Sequence, residues 1–402
     1  MQSDKTLSAN TLNFLQRNEK TIVSCLSCNR CQITGDCGAK CPMTGHFDWN
    51  PGVFTPGNMV ALIYGWVKGK IDTDSLNVAD KVFTCAVCRH CGFTCITKAD
   101  IPVLILNARG ELAKLNKTPP AIKSFCDTIS KSGNVFGLSA DLKELWKEEI
   151  PFKVPEKETA DVVYYLGCQS TFSARISPTT KSMASILHKM KLDWTTLGND
   201  EQCCGFPYYL AGMFDKMKDQ AIYHVDLVER KGASTLVTAC PGCYRMFKEI
   251  YPKLIGRRPN FDVYHPARWI SELMDEGKIK LTSLNQKATY HDPCELGRWR
   301  GMYENPRKIM RAIFGEDFVD LKFNRDECSC CGGGGLLKAM NGELSSKIAK
   351  NKVLEILKYT DAKIAVSACP ACEANISEAA EKMGADLKVQ DLVELVDSQL
   401  VV

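Results

Sequence analysis

The chain has 402 residues, of which 24% are charged and 45% hydrophobic, and its formal net charge is +4. These proportions are typical of a protein with two or three hydrophobic cores, and the scattered basic residues do not indicate nucleic-acid binding. The 21 cysteines are far more unusual. The N-terminal sequence lacks the pattern of a signal peptide, and no apolar run reaches the roughly 20 residues of a membrane span. We therefore expect reduced, metal-binding cysteines rather than a secreted disulfide framework, in a cytoplasmic protein that could reach the inner membrane face through a partner.

The first dense group of cysteines lies in the N-terminal region, where helices are predicted at 58–68, 74–82 and 101–115. Two runs have the spacing of a two-cluster ferredoxin, in which the fourth cysteine of each run ligates the other cluster. One predicted cubane 4Fe–4S cluster is held by Cys25, Cys28, Cys31 and Cys95. The other predicted cubane cluster is held by Cys85, Cys88, Cys91 and Cys41. We therefore expect residues 1–118 to form a mostly helical ferredoxin-like domain.

Two alternatives stay open for these N-terminal sites. Nine residues separate Cys31 from Cys41, and Cys37 within this insertion could replace Cys41 as a ligand. Pro42 follows Cys41 and favours Cys41. The second alternative is zinc, but zinc sites prefer pairs of cysteines to triplets at two-residue spacing. The triplets therefore favour iron–sulfur chemistry.

Two later groups of cysteines repeat each other, after a polar stretch at 119–160 that predicts a linker. The cysteines of the earlier group recur 126 to 129 positions later in the chain. The sequence TLVTACPGC at 235–243 matches IAVSACPAC at 364–372. A repeat of this length indicates a duplicated domain, so we expect one domain at 161–285 and another at 286–402.

Each repeat has an α/β pattern. In the first repeat, short apolar runs at 162–166, 192–196 and 235–238 predict buried strands, and 178–190 predicts a helix. Pro241 opens another helix, where its missing N–H costs little. The cysteines thus follow strands or precede helices, which is where open α/β sheets bind ligands. The expected fold class is α+β multidomain, with two tandem Rossmann-like α/β domains after the helical one.

Each repeat supplies five cysteines, which include an adjacent pair followed by glycine. The first set is Cys168, Cys203, Cys204, Cys240 and Cys243. The second set is Cys294, Cys330, Cys331, Cys369 and Cys372. Five thiols exceed the four that a cubane cluster requires, and the glycine lets the backbone approach a cluster closely.

These two complete sets resemble the CCG, or cysteine-rich, domain family. That family includes catalytic subunits of heterodisulfide reductases and iron–sulfur subunits of glycolate, lactate and anaerobic glycerol-3-phosphate dehydrogenases. The layout over roughly residues 20–400 is similar to the D subunits of heterodisulfide reductases, which fuse a C and a B subunit. The resemblance implies a noncubane 4Fe–4S cluster in each set. It also implies that the two clusters face each other and that a disulfide is cleaved between them by single-electron steps.

The candidate catalytic residues lie close to Cys294 in the sequence. Members of the family often carry a histidine directly after this cysteine, whereas this chain has Glu295. Burial would raise the pKa of Glu295 and let it deliver a proton. His291 lies nearby, and Arg298 and Arg300 could hold an anionic substrate or partner, or could be solvated. The catalytic candidates are therefore Glu295, His291 and Arg298.

The expected function is that of an iron–sulfur oxidoreductase subunit that passes electrons from the N-terminal cubanes to the C-terminal clusters for disulfide or thiol chemistry. The alternative is a non-catalytic electron-transfer subunit of a flavoprotein dehydrogenase or a quinone-linked membrane complex. Either role needs redox partners, such as a cytochrome b-like membrane subunit, a flavoprotein or an electron-transfer flavoprotein. We expect no flavin or NAD on the chain, because it has no dinucleotide fingerprint, and the glycines at 332–335 lack the ending of a phosphate loop. Cys37, Cys126 and Cys328 are expected to be plain thiols.

Overall fold

The computed structural model describes residues 9–28, 41–43, 55–74 and 76–401. Its N-terminal region is helical. The helices of this region are α1 (Ala9–Cys28), α2 (Pro56–Val67), α3 (Val78–Thr84), α4 (His90–Thr94) and α5 (Ile101–Lys114). Thr55 caps α2, because its hydroxyl accepts a hydrogen bond of 3.3 Å from the N–H of Asn58. The helices predicted at 58–68, 74–82 and 101–115 are present with boundaries shifted by a few residues, whereas Cys31 and Cys37 lie outside the described residues.

Helix α5 supplies much of the core of the N-terminal region. Its apolar side chains recur every four residues at Leu104, Ala108 and Leu112, and all three are fully buried. Helices α1, α2 and α3 pack against α5. The loops that carry the N-terminal cysteines are therefore attached to a packed helical body. Within the described ranges, no helix combines the length and the apolar character that crossing a bilayer requires.

The segment at 119–160, for which the sequence predicts a linker, is packed. It contains helix α6 (Pro120–Ser132) and a 3₁₀-helix at Ala140–Glu149. Ile122, Cys126 and Ile129 lie on one face of α6 and are buried. Because most residues of the segment are polar, its overall composition does not reveal the apolar face of this helix. The segment contacts both repeats and forms a layer against them, while the positions of the domain boundaries stay predictions.

The first repeat contains a four-stranded parallel sheet with the strand order β2-β1-β3-β4. Its strands are β1 (Val162–Tyr164), β2 (Trp194–Thr196), β3 (Thr235–Val237) and β4 (Asp262–Tyr264). Its helices are α7 (Cys168–Phe172), α8 (Ser177–Lys189), α9 (Phe206–Ala211), α10 (Asp215–Arg230), α11 (Pro241–Arg245), α12 (Tyr251–Ile255) and α13 (Pro266–Asp275). A π-helical turn at Met246–Ile250 connects α11 to α12. Strand β1 is buried throughout, as expected for a central strand covered on both faces.

The second repeat contains a three-stranded parallel sheet with the strand order β6-β7-β8. The strands from this part of the chain are β5 (Lys280–Leu281), β6 (Ala288–His291), β7 (Ile364–Ser367), β8 (Lys388–Asp391) and β9 (Leu400–Val401). The helices are α14 (Glu304–Phe314), α15 (Leu337–Met340), α16 (Gly342–Tyr359), α17 (Pro370–Lys382) and α18 (Leu392–Gln399). Strands β5 and β9 pair antiparallel and tie the segment just before this repeat to the end of the repeat. The described chain is thus a mixed α/β protein with two parallel-sheet repeats.

Candidate functional site

A cavity of about 370 Å³ is lined by both repeats, and all ten cysteines of the two five-cysteine sets lie on its wall. Parallel sheets bring the carboxyl ends of their strands to one edge, where ligands bind. Cys168 and Cys294 come shortly after β1 and β6, while Cys240 and Cys369 directly precede α11 and α17. The topology of each repeat therefore places its cysteines on the wall of the same cavity.

The thiols of the first set contact one another. The thiol of Cys203 lies within hydrogen-bonding reach of the thiols of Cys168 and Cys204. The thiol of Cys204 also reaches the thiol of Cys243. Gly167 has a φ of +78°, and a Cβ atom there would lie 3.6 Å from Sγ of Cys243. Glycine therefore allows the turn that brings Cys168 to the other thiols.

The second set is arranged in a similar way. Sγ of Cys331 lies 3.1 Å from Sγ of Cys372, which is farther than the ~2.05 Å of a disulfide bond. The N–H of Gly332 donates to Sγ of Cys330 at 3.3 Å, and the N–H of Gly333 donates to Sγ of Cys331 at 3.4 Å. Hydrogen bonds of this kind stabilise thiolates. The arrangement therefore suits thiolate ligands of a metal cluster.

One of the N-terminal cysteines, Cys88, contacts Cys330 on the wall of this cavity. Contact with the thiol of Cys330, together with burial, raises the pKa of Cys88 well above its ordinary value. Burial raises the pKa of Cys91 as well, and the charges of neighbouring thiolates, including that of Cys41, add to the shift. Cationic iron would offset the mutual repulsion of thiolates crowded in this way. The residues predicted to hold this cubane therefore have a chemistry that fits it.

The other predicted N-terminal site is described only in part. Cys25 and Cys28 lie one turn apart at the end of α1 and so share a helix face. Cys95 follows α4, and its Sγ lies 3.2 Å from Oγ1 of Thr97. The remaining predicted ligand, Cys31, lies outside the described residues, so the assignment of this site stays a prediction.

The glycines at 332–335 are needed for close packing. A Cβ atom on Gly333 would lie 2.6 Å from the carbonyl oxygen of Ala371. Gly335 has a φ of +66°, and a Cβ atom there would lie 2.2 Å from the carbonyl oxygen of Ala86. Ala86 belongs to the loop that carries Cys85 and Cys88. Gly335 therefore lets the N-terminal cysteine loop lie directly against the second repeat.

Gly335→Ala is expected to lower the free energy of unfolding by about 2–4 kcal/mol, because a backbone clash adds to the cost of a positive φ. Gly277→Ala is the matched control, since Gly277 has a φ of +67° with nothing within 4 Å of the added carbon. This control should lose only about 1 kcal/mol. Urea unfolding of the two variants measures the difference, and equal losses would mean that the close approach to Ala86 contributes nothing.

Glu295 lies on the cavity wall and forms a buried ion pair. Its Oε2 accepts a hydrogen bond of 2.9 Å from Nη1 of Arg245, which belongs to the first repeat. The guanidinium of Arg245 also stacks 3.7 Å from the ring centre of Trp299. Burial raises the pKa of Glu295, and the charge of Arg245 partly opposes this shift. A carboxyl group on the cavity wall is thus held in place by the opposite repeat.

Arg298 is buried between the N-terminal loop and the second repeat. Its Nε donates to the carbonyl oxygen of Cys88 at 2.6 Å, and its Nη1 donates to that of Cys328 at 2.6 Å. Burial lowers the pKa of Arg298, but the neighbouring thiols, Cys88 first among them, raise it by more. Arg300 pairs with Glu249 at 3.2 Å. Arg298 is therefore not solvated, and these contacts place its charge among thiols.

A family model described as Cysteine-rich domain (CCG) matches residues 162–248 and 288–377, which contain the two complete cysteine sets. The chain carries two CCG domains. The model matches the chain twice, once in each repeat, so the duplication that the cysteine spacing predicts is confirmed. The first CCG domain holds the first set of five cysteines, and the second CCG domain holds the second set.

Relatives extend the similarity beyond the CCG domains. The D subunit of the dihydromethanophenazine:CoB–CoM heterodisulfide reductase of Methanosarcina acetivorans is 29% identical over 98% of this chain and 98% of its own length. The B subunit of the fumarate reductase (CoM/CoB) of Methanothermobacter marburgensis is 26% identical over 80% of this chain and 62% of its own. EtfAB:quinone oxidoreductase of Syntrophomonas wolfei is 24% identical over 79% of this chain and 46% of its own. The resemblance to heterodisulfide reductase D subunits is thus confirmed.

His291 and Cys328 lie beside the second CCG site. One ring nitrogen of His291 lies within 4.8 Å of the sulfur atoms of Cys331 and Cys372. Nδ1 of His291 is 3.5 Å from Sγ of Cys328, which also lies 3.7 Å from Nζ of the buried Lys352. Sequence reasoning treated Cys328 as a plain thiol, although it lies only two residues before Cys330. The structure places it in a buried polar group behind the second site.

Arg109 is the residue that sequence reasoning missed most clearly. It is fully buried, and its guanidinium joins the N-terminal region to both CCG domains. It donates hydrogen bonds to the carbonyl groups of Val82, Phe83, Cys85, Leu210 and Gly335. Burial lowers the pKa of Arg109 to about 10, so the side chain stays charged at neutral pH. The available signal was an arginine three residues after the apolar stretch 101–106 of a predicted helix.

Proposed function

We propose that this chain is an iron–sulfur subunit of a heterodisulfide-reductase-type enzyme. In this role it passes electrons from N-terminal cubane clusters to noncubane clusters in its CCG domains, where a disulfide is reduced to two thiols. The observation that carries the proposal is that all ten cysteines of the two CCG sets line one cavity, which Cys88 adjoins. Relatives named as oxidoreductases or their subunits support the same chemistry.

The chemistry of the donor set supports iron–sulfur clusters at the CCG sites. Each site offers five thiols, whereas zinc takes four ligands. N–H groups of Gly332 and Gly333 point at two of the sulfur atoms, as suits anionic ligands. When bound, 4Fe–4S clusters would supply electrons one at a time. The chain's own part is to hold the thiols around a shared, mostly apolar cavity.

The contact between Cys88 and Cys330 gives the proposed route of the electrons. It joins the predicted cubane loop to the second CCG site. Arg298 stabilises this junction, because it donates hydrogen bonds to the carbonyl groups on both sides of it. We therefore propose that electrons enter the second CCG site before the first. In this account Arg298 is a positioning residue and not a ligand for an anionic substrate.

Disulfide reduction consumes two electrons and two protons, breaks the S–S bond and yields two thiols. The electrons would come from a reduced redox partner, such as a flavoprotein or a cytochrome b-like protein. Glu295 is the proposed proton donor at the cavity wall, because burial raises its pKa and its ion pair with Arg245 fixes its position. His291 beside the second site is the proposed source of another proton.

A second candidate function is a relay subunit without a substrate of its own. It is favoured by the similarity to a quinone oxidoreductase named for EtfAB and to part of a fumarate reductase. In that role electrons would cross the same sites to or from a flavoprotein or a quinone-linked membrane complex. The cysteine geometry is compatible with both functions, so the experiment must ask whether a thiol binds.

An anaerobic redox titration followed by electron paramagnetic resonance, with and without a thiol–disulfide pair, separates the two functions. A signal that depends on the thiol is expected if the CCG cavity binds substrate. A full set of reducible clusters without any thiol-dependent signal would contradict the disulfide chemistry and favour the relay. Colourless protein that contains zinc would contradict both.

A further inference from the structure

Exposed large apolar side chains are concentrated between residues 136 and 145. Fifteen such side chains are exposed among the described residues, and four of them lie in this short stretch, namely Phe136, Leu138, Leu142 and Leu145. Single exposed apolar residues are normal on a protein surface, whereas a contiguous group marks a place where another molecule binds. We call these four side chains the apolar patch.

The two parts of the apolar patch lie against the same helix. The side chain of Asn134 accepts hydrogen bonds from the N–H groups of Phe136 and Leu138 at 3.0 and 3.2 Å, and so holds this loop in a compact turn. The ring of Phe136 lies 6.2 Å from the ring of Phe172 in α7. The 3₁₀-helix at Ala140–Glu149 contacts α7 as well. The loop and the 3₁₀-helix are therefore neighbours, and the patch is one region of the surface.

The 3₁₀-helix has the reverse of the usual distribution of side chains. Residues three positions apart share a face in such a helix. Its inner face carries Lys143 and Trp146, which are buried, whereas its outer face carries Leu142 and Leu145, which are 40% and 50% exposed. Nζ of Lys143 donates a hydrogen bond to the carbonyl oxygen of Glu201, shortly before the first CCG cysteine pair. This contact explains the buried lysine, but no contact among the described residues explains the exposed leucines.

The charges beside the apolar patch are acidic. Glu148 shares the outer face with the leucines, and Asp141 precedes them; both are exposed, and neither pairs with a cation of the described residues. Lys147 is already paired with Glu144 and Glu156. Acidic side chains repel an anionic membrane surface and also a second copy of the same patch, whereas they attract a cationic partner. The surroundings therefore favour a protein with basic side chains beside apolar ones.

We propose that the apolar patch binds an amphipathic helix of a partner protein, with apolar side chains against Leu142 and Leu145 and basic side chains against Asp141 and Glu148. Helices that dock in this way present apolar residues three or four positions apart. Phe136 also lines the CCG cavity, so a helix bound to the patch covers one side of that cavity. The inference goes beyond the proposed redox chemistry, because it requires no step at the clusters.

The probe is a synthetic helix of about 18 residues, with leucine on one face and lysine on the other. A charge-reversed helix carries glutamate in place of lysine. Isothermal titration of the full chain with its clusters measures the Kd of each helix. We expect the basic helix to bind, and to bind more weakly as salt screens the charges, whereas the acidic helix should not bind. Equal binding of the two helices would contradict the role of the acidic side chains.

Leu142→Gln combined with Leu145→Gln removes the apolar outer face. We expect the Kd of the basic helix to rise about tenfold or more, while the stability of the chain stays nearly unchanged because both positions are exposed. The matched control is Leu354→Gln combined with Leu357→Gln on α16, where two leucines of the same spacing are 46% and 42% exposed. This control should leave the Kd unchanged. An equal rise in both double variants would overturn the role of the patch.

Other results would overturn the proposal as well. Failure of the basic helix to bind would mean that the patch is no docking surface for such helices. A large drop in the urea midpoint of the Leu142 and Leu145 variant would mean that the chain itself covers these leucines. Self-association that this variant abolishes, measured by sedimentation, would assign the patch to a second copy. Preferential binding to phosphatidylglycerol vesicles would assign it to a membrane surface.

Discussion

Removing the cysteine pair Cys330 and Cys331 is expected to stop electrons from reaching either CCG site. The reason is that Cys88 contacts Cys330, so in the proposed route the predicted cubane passes electrons to the second CCG site before the first. The matched change removes Cys203 and Cys204, which occupy the equivalent positions of the first repeat. Each double alanine variant leaves three thiols in the altered site, fewer than a 4Fe–4S cluster needs, and should lose about four irons.

The measurement is the reduction of the intact CCG site in each variant by a reduced flavodoxin, a donor too large to enter the cavity. Without the second site, reduction of the first site should fall to the background rate. Without the first site, the second should still be reduced at the rate of the unaltered protein. The reverse pattern, or equal losses in both variants, would contradict the proposed order of electron transfer.

Arg109→Met is expected to lower the free energy of unfolding by about 3–5 kcal/mol. The substitution removes a buried cation and leaves carbonyl groups from three parts of the chain without their donor. Arg17→Met is the matched control on the neighbouring α1, because the Arg17 side chain is 51% exposed and pairs with Glu111 at 3.2 Å. The control should change the stability by less than about 1 kcal/mol.

Urea unfolding and limited proteolysis measure this effect. Faster cleavage near the N-terminal cysteine loop is expected in Arg109→Met, because the guanidinium joins that loop to both CCG domains. A loss no greater than that of Arg17→Met would mean that water satisfies the exposed carbonyl groups and that Arg109 does not join the domains. Arg109→Lys should fall between these results, since lysine keeps the charge but lacks the planar fork of donors.

The two α/β repeats could be predicted because the cysteines mark the ends of short apolar strands. The run at 162–166 contains β1, and the run at 235–238 contains β3. Both runs are short and apolar, so the local sequence is enough to indicate a buried strand. The strand predicted at 235–238 also predicts β7, because the sequence TLVTACPGC of the first repeat matches IAVSACPAC of the second.

The packing between the parts of the chain could not be predicted in the same way. Arg109, Arg245 and Trp299 act through partners that lie far away in the sequence, such as Leu210 for Arg109 and Glu295 for Arg245. Such contacts exist only once the domains have assembled, and no local spacing encodes them. The segment at 119–160 was expected to be a linker for a related reason, since its buried positions are few among many polar ones.

The roles of the predicted catalytic residues depend on what surrounds them in the fold, which their residue types alone do not reveal. Glu295 was proposed as a proton donor on the condition that it is buried, and the structure places it on the cavity wall beside Arg245. Arg298 was expected to be either solvated or available to an anion, whereas its hydrogen bonds go to backbone carbonyl groups. A guanidinium can serve any of these roles, so only the tertiary contacts could distinguish them.

The central claim is that both CCG sites hold clusters in addition to the N-terminal cubanes. Iron and acid-labile sulfide analysis of the anaerobically purified chain tests it most directly. We expect about sixteen irons, with a matching amount of sulfide, in each chain. About eight irons would show that the five-cysteine sets bind no cluster and would contradict the claim, as would zinc in place of iron.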